Sequence, residues 1–329
     1  MDAIPVTPPV FQDIRDAQQR IAGEAVVTPL LRSAFLDTLT GGTVLLKAEN
    51  LQRTGSFKFR GAFNRLSLIP EGDRHRGVVA CSSGNHAQGV AEAARVLGMP
   101  ATIVMPQDAP QAKLDRTRRS GARVVTYRRG IDDRDVLALE IARETGATMV
   151  HPYNDAGVIA GQGTIGAEVA EQAAAMGLTP DAMLTCAGGG GMTGGIALAL
   201  ETLLPDCELL PVEPEGFDDH GRSLVGGTVV ANPSESGSVC DALLARQPGE
   251  IGFSITSRRA RRGLAVSDAE ALAAVAFAFR ELKLVVEPGG AVCLAAVLSG
   301  RLPVKGRVVA LTLSGGNIDA DMMAKALAT

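Results

Sequence analysis

CAGGGGMTGG, residues 186–195, follows an apolar run over 182–187 and opens a helical pattern. Four successive glycines between a buried strand and a helix leave backbone N–H groups free to curl around an anion. The stretch lacks the Lys-Ser/Thr ending of a nucleotide P-loop and the spacing of the dinucleotide fingerprint. The ligand it suits is one phosphate on something small. Apolar runs over 78–81, 101–105, 123–127, 208–213 and 308–313 repeat the strand signal and alternate with helical patterns. Such alternation implies βαβ units, hence an α/β fold of mostly parallel sheets flanked by helices. Ser267 and Glu270 form a capping box before an apolar helix face of Ala271, Val275, Phe279 and Leu282.

The 329 residues suffice for about two domains. A composition of 46% hydrophobic and 21% charged residues excludes disorder, collagen-like repeats and a small disulfide scaffold. Glycine, at 38 residues, and a 3% aromatic content suit sheet and helix layers that approach closely. The turn-rich HPYNDAGVIAGQG, 151–163, reads as a return crossing between a small βαβ domain over 77–150 and a larger one made of 1–76 and 151–329. His151 and Tyr153 in that crossing read as structural.

A formal charge of −4 gives no reason to expect nucleic acid, and the basic runs 116–119 and 258–262 lack interleaved aromatics. Five scattered cysteines with no CxxC fit a reducing cytoplasm. The start, MDAIPVTPPVFQDI, has no apolar signal core, and apolar stretches such as 271–279 fall short of the ~20 residues that span a bilayer. The expectation is a soluble cytoplasmic protein.

Three further motifs stand beside the glycine loop. In GSFKFRGA, 55–62, Lys58 sits between Phe57 and Phe59, where desolvation lowers an amine's pKa and frees it for Schiff-base chemistry. SSGNHAQG, 82–89, lies where a strand turns into a helix, whose unpaired N–H groups suit a carboxylate or phosphate. LSGGN, 313–317, follows another strand and places Ser314 at the sheet's carboxyl edge, where α/β proteins bind ligands.

In this order and spacing the four motifs resemble those of pyridoxal-phosphate enzymes of the tryptophan synthase β-like fold, nearest the threonine/serine dehydratase and serine racemase branch. The likeness spans about 20–325. It implies that Lys58 bonds the cofactor aldehyde, with Phe57 beside it, and that Gly188, Gly189, Gly190, Gly191 and Met192 wrap the phosphate. Asn85 would bond the 3′-oxygen, and Ser314 would face the pyridine nitrogen. Ser82, Ser83, Gly84, Asn85 and His86 would hold the substrate carboxylate, and Ser83 would exchange the α-proton across from Lys58. Arg134 matches an arginine near the substrate pocket, and Glu287 a glutamate near the ring. A hydroxyl beside the ring nitrogen, unlike a carboxylate, favours expelling a β-leaving group.

The resemblance also suggests a hard-cation site of Glu213, the Phe217 carbonyl and Asp219, with oxygen ligands suited to Mg2+, Ca2+ or Mn2+. It implies a homodimer and an ammonia-lyase acting on L-threonine and L-serine. Dehydration of 3-hydroxyaspartate, with Arg134 taking the extra carboxylate, and serine racemisation use the same residues and stay open. A non-catalytic ligand-binding protein would have lost the lysine or the glycine loop, and both are present. The chain runs only about a dozen residues past SGGN. The expectation is therefore no isoleucine-binding regulatory domain.

Overall fold

The computed structural model describes residues 7–109, 111–128 and 130–329. Two sheets organise the chain. The larger joins β1 (Leu30–Arg32), β2 (Thr43–Lys47), β7 (Ala182–Cys186), β8 (Glu208–Pro214), β9 (Leu264–Val266) and β10 (Val308–Thr312). Their spatial order is β1-β2-β10-β7-β8-β9, with only β1 antiparallel to its neighbour. The smaller joins β3 (Val78–Cys81), β4 (Ala101–Pro106), β5 (Arg123–Tyr127) and β6 (Thr148–Met149) in the order β5-β4-β3-β6, all parallel. The α/β expectation holds. β7 is buried along its whole length, as a strand covered on both faces must be.

Helices cover these sheets through small residues. The Ala156–Ala175 and Gly191–Leu203 helices meet where a Cβ on Gly195 would fall 2.4 Å from the Ile159 carbonyl. Glycine at that crossing sets the spacing. The Lys58–Ser67 helix turns Phe59, Ala62, Phe63 and Leu66 into the apolar core shared with β3 and β4. The Ser267–Glu270 capping box forms as read. The apolar face expected beyond it breaks at a π-helical turn, Ala278–Leu282, which leaves Phe279 43% exposed.

Four charged side chains are buried together beneath the site. Arg60 donates to Glu49 at 2.8 and 2.9 Å and to Glu168 at 2.6 and 2.8 Å, and Lys47 donates to Glu168 at 2.6 Å. Two positive and two negative charges leave the cluster neutral. Burial alone would raise the Glu49 carboxyl, but the Arg60 guanidinium outweighs it and holds that carboxyl below its usual range. Glu49 therefore favours folding above the ordinary carboxylate pKa, and that contribution fades as pH falls through its depressed value. Removing Arg60 strands two buried carboxylates, so Arg60→Met should cost about 3–5 kcal/mol in denaturant unfolding. A loss below about 1 kcal/mol would mean the cluster is not held by its pairing.

Candidate active site

The carboxyl ends of β3, β7 and β10 open into one cavity of about 320 Å³. Crevices at strand carboxyl ends are where open α/β sheets bind ligands. Segment 55–57 is stitched to 314–316 by an isolated bridge, Ser56 to Gly315. Two further bonds reinforce it, Phe57 N–H to the Ser314 carbonyl (3.1 Å) and Gly316 N–H to the Gly55 carbonyl (2.9 Å). That stitch places Lys58 beside Ser314. The amine donates to the Pro152 carbonyl at 2.9 Å and lies 5.1 Å from the Phe57 ring centre. Enclosure lowers its pKa to about 8, although the side chain as a whole still faces the cavity. Phe59 does not help to desolvate it, because its ring points into the core against Phe63.

From β3 the chain runs through Ser82 and Ser83 into the Asn85–Val96 helix, whose N-cap is Gly84 and whose first turn has no side-chain cap. The helix packs on the Lys58 turn because position 89 is glycine. A Cβ there would sit 3.1 Å from the Lys58 carbonyl carbon. His86 is buried, pairs through Nε2 with the Val150 carbonyl (3.1 Å), and is driven to a pKa of about 3 by burial and the nearby Lys58 charge. It is a neutral imidazole. The Asn85 amide is fixed from two sides, donating to Glu287 at 2.6 Å and accepting from Asn317 at 2.8 Å.

After β7, Gly188 to Gly191 curve into the Gly191–Leu203 helix, whose N-cap Gly190 has φ +83° and no side-chain cap. The glycines are required by their neighbours. A Cβ on Gly189 would lie 2.2 Å from the Tyr153 ring, and one on Gly190 would lie 2.4 Å from the His220 ring. The loop is thus a cradle of open backbone donors at a helix start, which fits a phosphate group.

Lys58, Phe57, Ser82, Ser83, Gly84, Asn85, His86, Arg134, Gly188, Gly189, Gly190, Gly191, Met192 and Ser314 all line this cavity. Arg134 sits at its rim, half exposed, with Glu235 3.8 Å away. Pro152, Tyr153, Leu243 and Arg116 also line it and were missed from sequence. Tyr153, read as structural, packs behind Gly189 and also lines the cavity. Arg116 is an exposed helix residue, as its basic run suggested, and it also bonds Asn317 at 3.1 Å.

Glu213, Phe217 and Asp219 stand apart from the cavity lining. Glu213 is buried, accepts the His220 and Gly221 N–H groups (3.0 and 2.9 Å), and neighbours Asp219. Asp219 accepts from Asn232 at 2.6 Å through one oxygen, while its other oxygen is buried without a partner. Burial and the Asp219 charge push the Glu213 carboxyl well up, and burial lifts Asp219 to about 6. Among the described residues no group of three His, Cys, Asp or Glu side chains is arranged to hold a metal, so any ligand set here must include carbonyls or water. Two adjacent acids with an orphaned oxygen do fit a hard cation.

Residues 21–315 match the family of pyridoxal-phosphate dependent enzymes, and the chain belongs to it. It is 44% identical over 317 residues to an L-threo-3-hydroxyaspartate ammonia-lyase of a Pseudomonas species, covering 96% of this chain and 98% of that protein. A serine racemase of Schizosaccharomyces pombe is 38% identical, with 96% of each chain covered. The crystal structure of a T.th. threonine deaminase superposes with a TM-score of 0.89 at 45% identity, over 94% of this chain and 99% of that one.

Gly189→Ala should lower stability by about 1–3 kcal/mol through the clash with Tyr153. Adding Tyr153→Ala should recover part of that loss; fully additive losses in thermal unfolding would show that the two positions do not touch.

Proposed function

We propose that the protein is a pyridoxal-phosphate ammonia-lyase that converts L-threonine and L-serine to 2-oxo acids and ammonia. The observation that carries this reading is the convergence of the enclosed Lys58 amine, the glycine cradle, the uncapped helix start at Asn85 and Ser314 on one cavity. The bound cofactor supplies an electron sink for the substrate α-carbon. Lys58 would hold the cofactor aldehyde and move the α-proton, and its lowered pKa raises the neutral fraction of the amine near pH 7 above that of an ordinary lysine. N–H groups of Gly188 to Gly191, with Met192, receive the phosphate. The Asn85 amide, one N–H of which goes to Glu287, would give its other N–H to the 3′-oxygen. Ser314 offers the ring nitrogen a hydroxyl, and Phe57 shields the amine from water. The Ser82–His86 turn would bind the α-carboxylate, and Ser83 would be the group that exchanges the α-proton opposite Lys58.

Dehydration of 3-hydroxyaspartate is the second reading, favoured by Arg134 at the cavity rim and by the Pseudomonas relative. Racemisation is the third, resting on Ser83 as second base and on the racemase relative. We infer further that 77–150 forms a small domain that closes over the substrate, since Ser82–His86 and Arg134 come from the four-stranded sheet's side of the cavity. Unchanged small-angle scattering on substrate binding would contradict this. No helix among the described residues is long and apolar enough to cross a membrane. The reading takes the chain as a cytoplasmic homodimer, and sedimentation at the mass of a single chain would refute the dimer.

The test is kcat/KM on L-threonine, L-serine and L-threo-3-hydroxyaspartate. Threonine and serine should yield 2-oxo acid, and Lys58→Ala should abolish both turnover and the visible cofactor absorbance. Absence of product from either amino acid would remove the first reading, and product from hydroxyaspartate alone would establish the second.

Glu213 and Asp219, with the Phe217 carbonyl, would hold Mg2+, Ca2+ or Mn2+. Both carboxyls are raised in the fold, so without a cation the pair favours folding at low pH and opposes it as pH rises through Asp219's value of about 6. Added Mg2+ should therefore raise Tm more at pH 8 than at pH 5. Glu213→Gln should abolish the increment; indifference to Mg2+, Ca2+, Mn2+ and EDTA would argue against the site.

A further inference from the structure

We propose that Cys186 and Cys293 form an oxidation site that the cofactor guards, converted by hydrogen peroxide to a disulfide when the cavity is unfilled. Cys186 ends β7 and lines the cavity, whereas Cys293 lies on the Pro288–Leu298 helix immediately behind it. Their sulfurs are 3.5 Å apart, so a shift of about 1.5 Å reaches the bonded distance of ~2.0 Å. Both are buried, at 4% and 0% exposure, so the cavity is the route by which a small oxidant reaches the pair. Thr312 and the Gly290 carbonyl surround the Cys186 sulfur at 3.5–3.6 Å, and Ser314 adjoins it.

Cys81 is the internal control, since it lines the same cavity. Burial pushes its thiol up to about 12, and the groups that act on it are Arg134, Asp135 and Asp133, with no cysteine among them. At Cys186, burial is outweighed by hydrogen bonds from Cys293, Ser314 and Thr312, and the thiol falls to about 7. Burial and the Cys186 contact push the Cys293 thiol well up, so Cys186 is the member of the pair that ionises first. Attack by the Cys186 thiolate on a peroxide oxygen breaks the O–O bond, giving a sulfenic acid and, with the thiol's proton, one water. The Cys293 thiol then attacks that sulfur. The S–S bond forms and a second water leaves, so two thiols are oxidised as one peroxide is reduced. Oxidation takes from Ser314 its thiol neighbour, in the part of the cavity where the cofactor ring would lie. That guarding role rests on the cofactor reading given above.

The experiment exposes reduced full-length holoenzyme and the cofactor-depleted full-length chain to hydrogen peroxide. Free thiols are then counted and cross-linked peptides identified by mass spectrometry. The depleted chain should lose two of its five thiols and yield a 186–293 linked peptide, at least tenfold faster than holoenzyme. Cys293→Ser should block the link and leave a dimedone-trappable sulfenic acid at Cys186. Dithiothreitol should restore both thiols. Absence of the link, prior oxidation of Cys81, or equal rates in the two forms would overturn the proposal. Purified protein that carries no cofactor absorbance before depletion would instead indict the functional reading, while the thiol chemistry would still be scored.

Discussion

The pairing of Arg60 with Glu49 and Glu168 is the interaction on which the site's geometry rests. Arg60 lies two residues after Lys58 on the same helix, and its partners come from the turn after β2 and from the Ala156–Ala175 helix. A guanidinium that must satisfy two buried carboxylates can occupy few positions, because its fork is planar and each charge costs several kcal/mol to leave unpaired. The start of the Lys58 helix is therefore fixed in depth and rotation. A lysine held there can be enclosed beside Phe57 and Pro152 while its tip still reaches the cavity.

Close approach is the second theme. The site is built by backbone as much as by side chains, and backbone can surround a ligand only where no Cβ intrudes. Gly89 lets one helix rest on the Lys58 carbonyl, and Gly189 lets the loop lie against Tyr153. Gly290 comes so near Gly315 that an added Cβ would be 2.4 Å from its carbonyl oxygen. The high glycine content thus reflects contacts between layers as well as turns.

Much of this was readable from residues because the long strands are uniformly apolar and the motifs sit at their ends. Six runs foretold β3, β4, β5, β7, β8 and β10 to within a residue at their ends. The short β1, β6 and β9 carry too few residues for a period to show, and β2 ends on Lys47, whose charge disguises a buried strand. Pro152 and Leu243 escaped notice, and Tyr153 was read only as structural, for a different reason. They contribute a ring face, a carbonyl and an aliphatic wall, roles that exist only once distant segments meet. Glu287 was recognised, but its bond to Asn85 needed coordinates.

β10, at Val308–Thr312, comes after every other described strand in chain order, yet it is no edge strand: it lies between β2 and β7 and hydrogen-bonds to both. The larger sheet therefore has a gap at its centre until residue 312 has left the ribosome. Synthesis delivers the middle of the sheet last, so a product stopped before residue 308 lacks the keystone strand. Ser314, Asn317, Ile318 and Asp319 follow that strand and complete a cavity wall whose other lining residues are made before it.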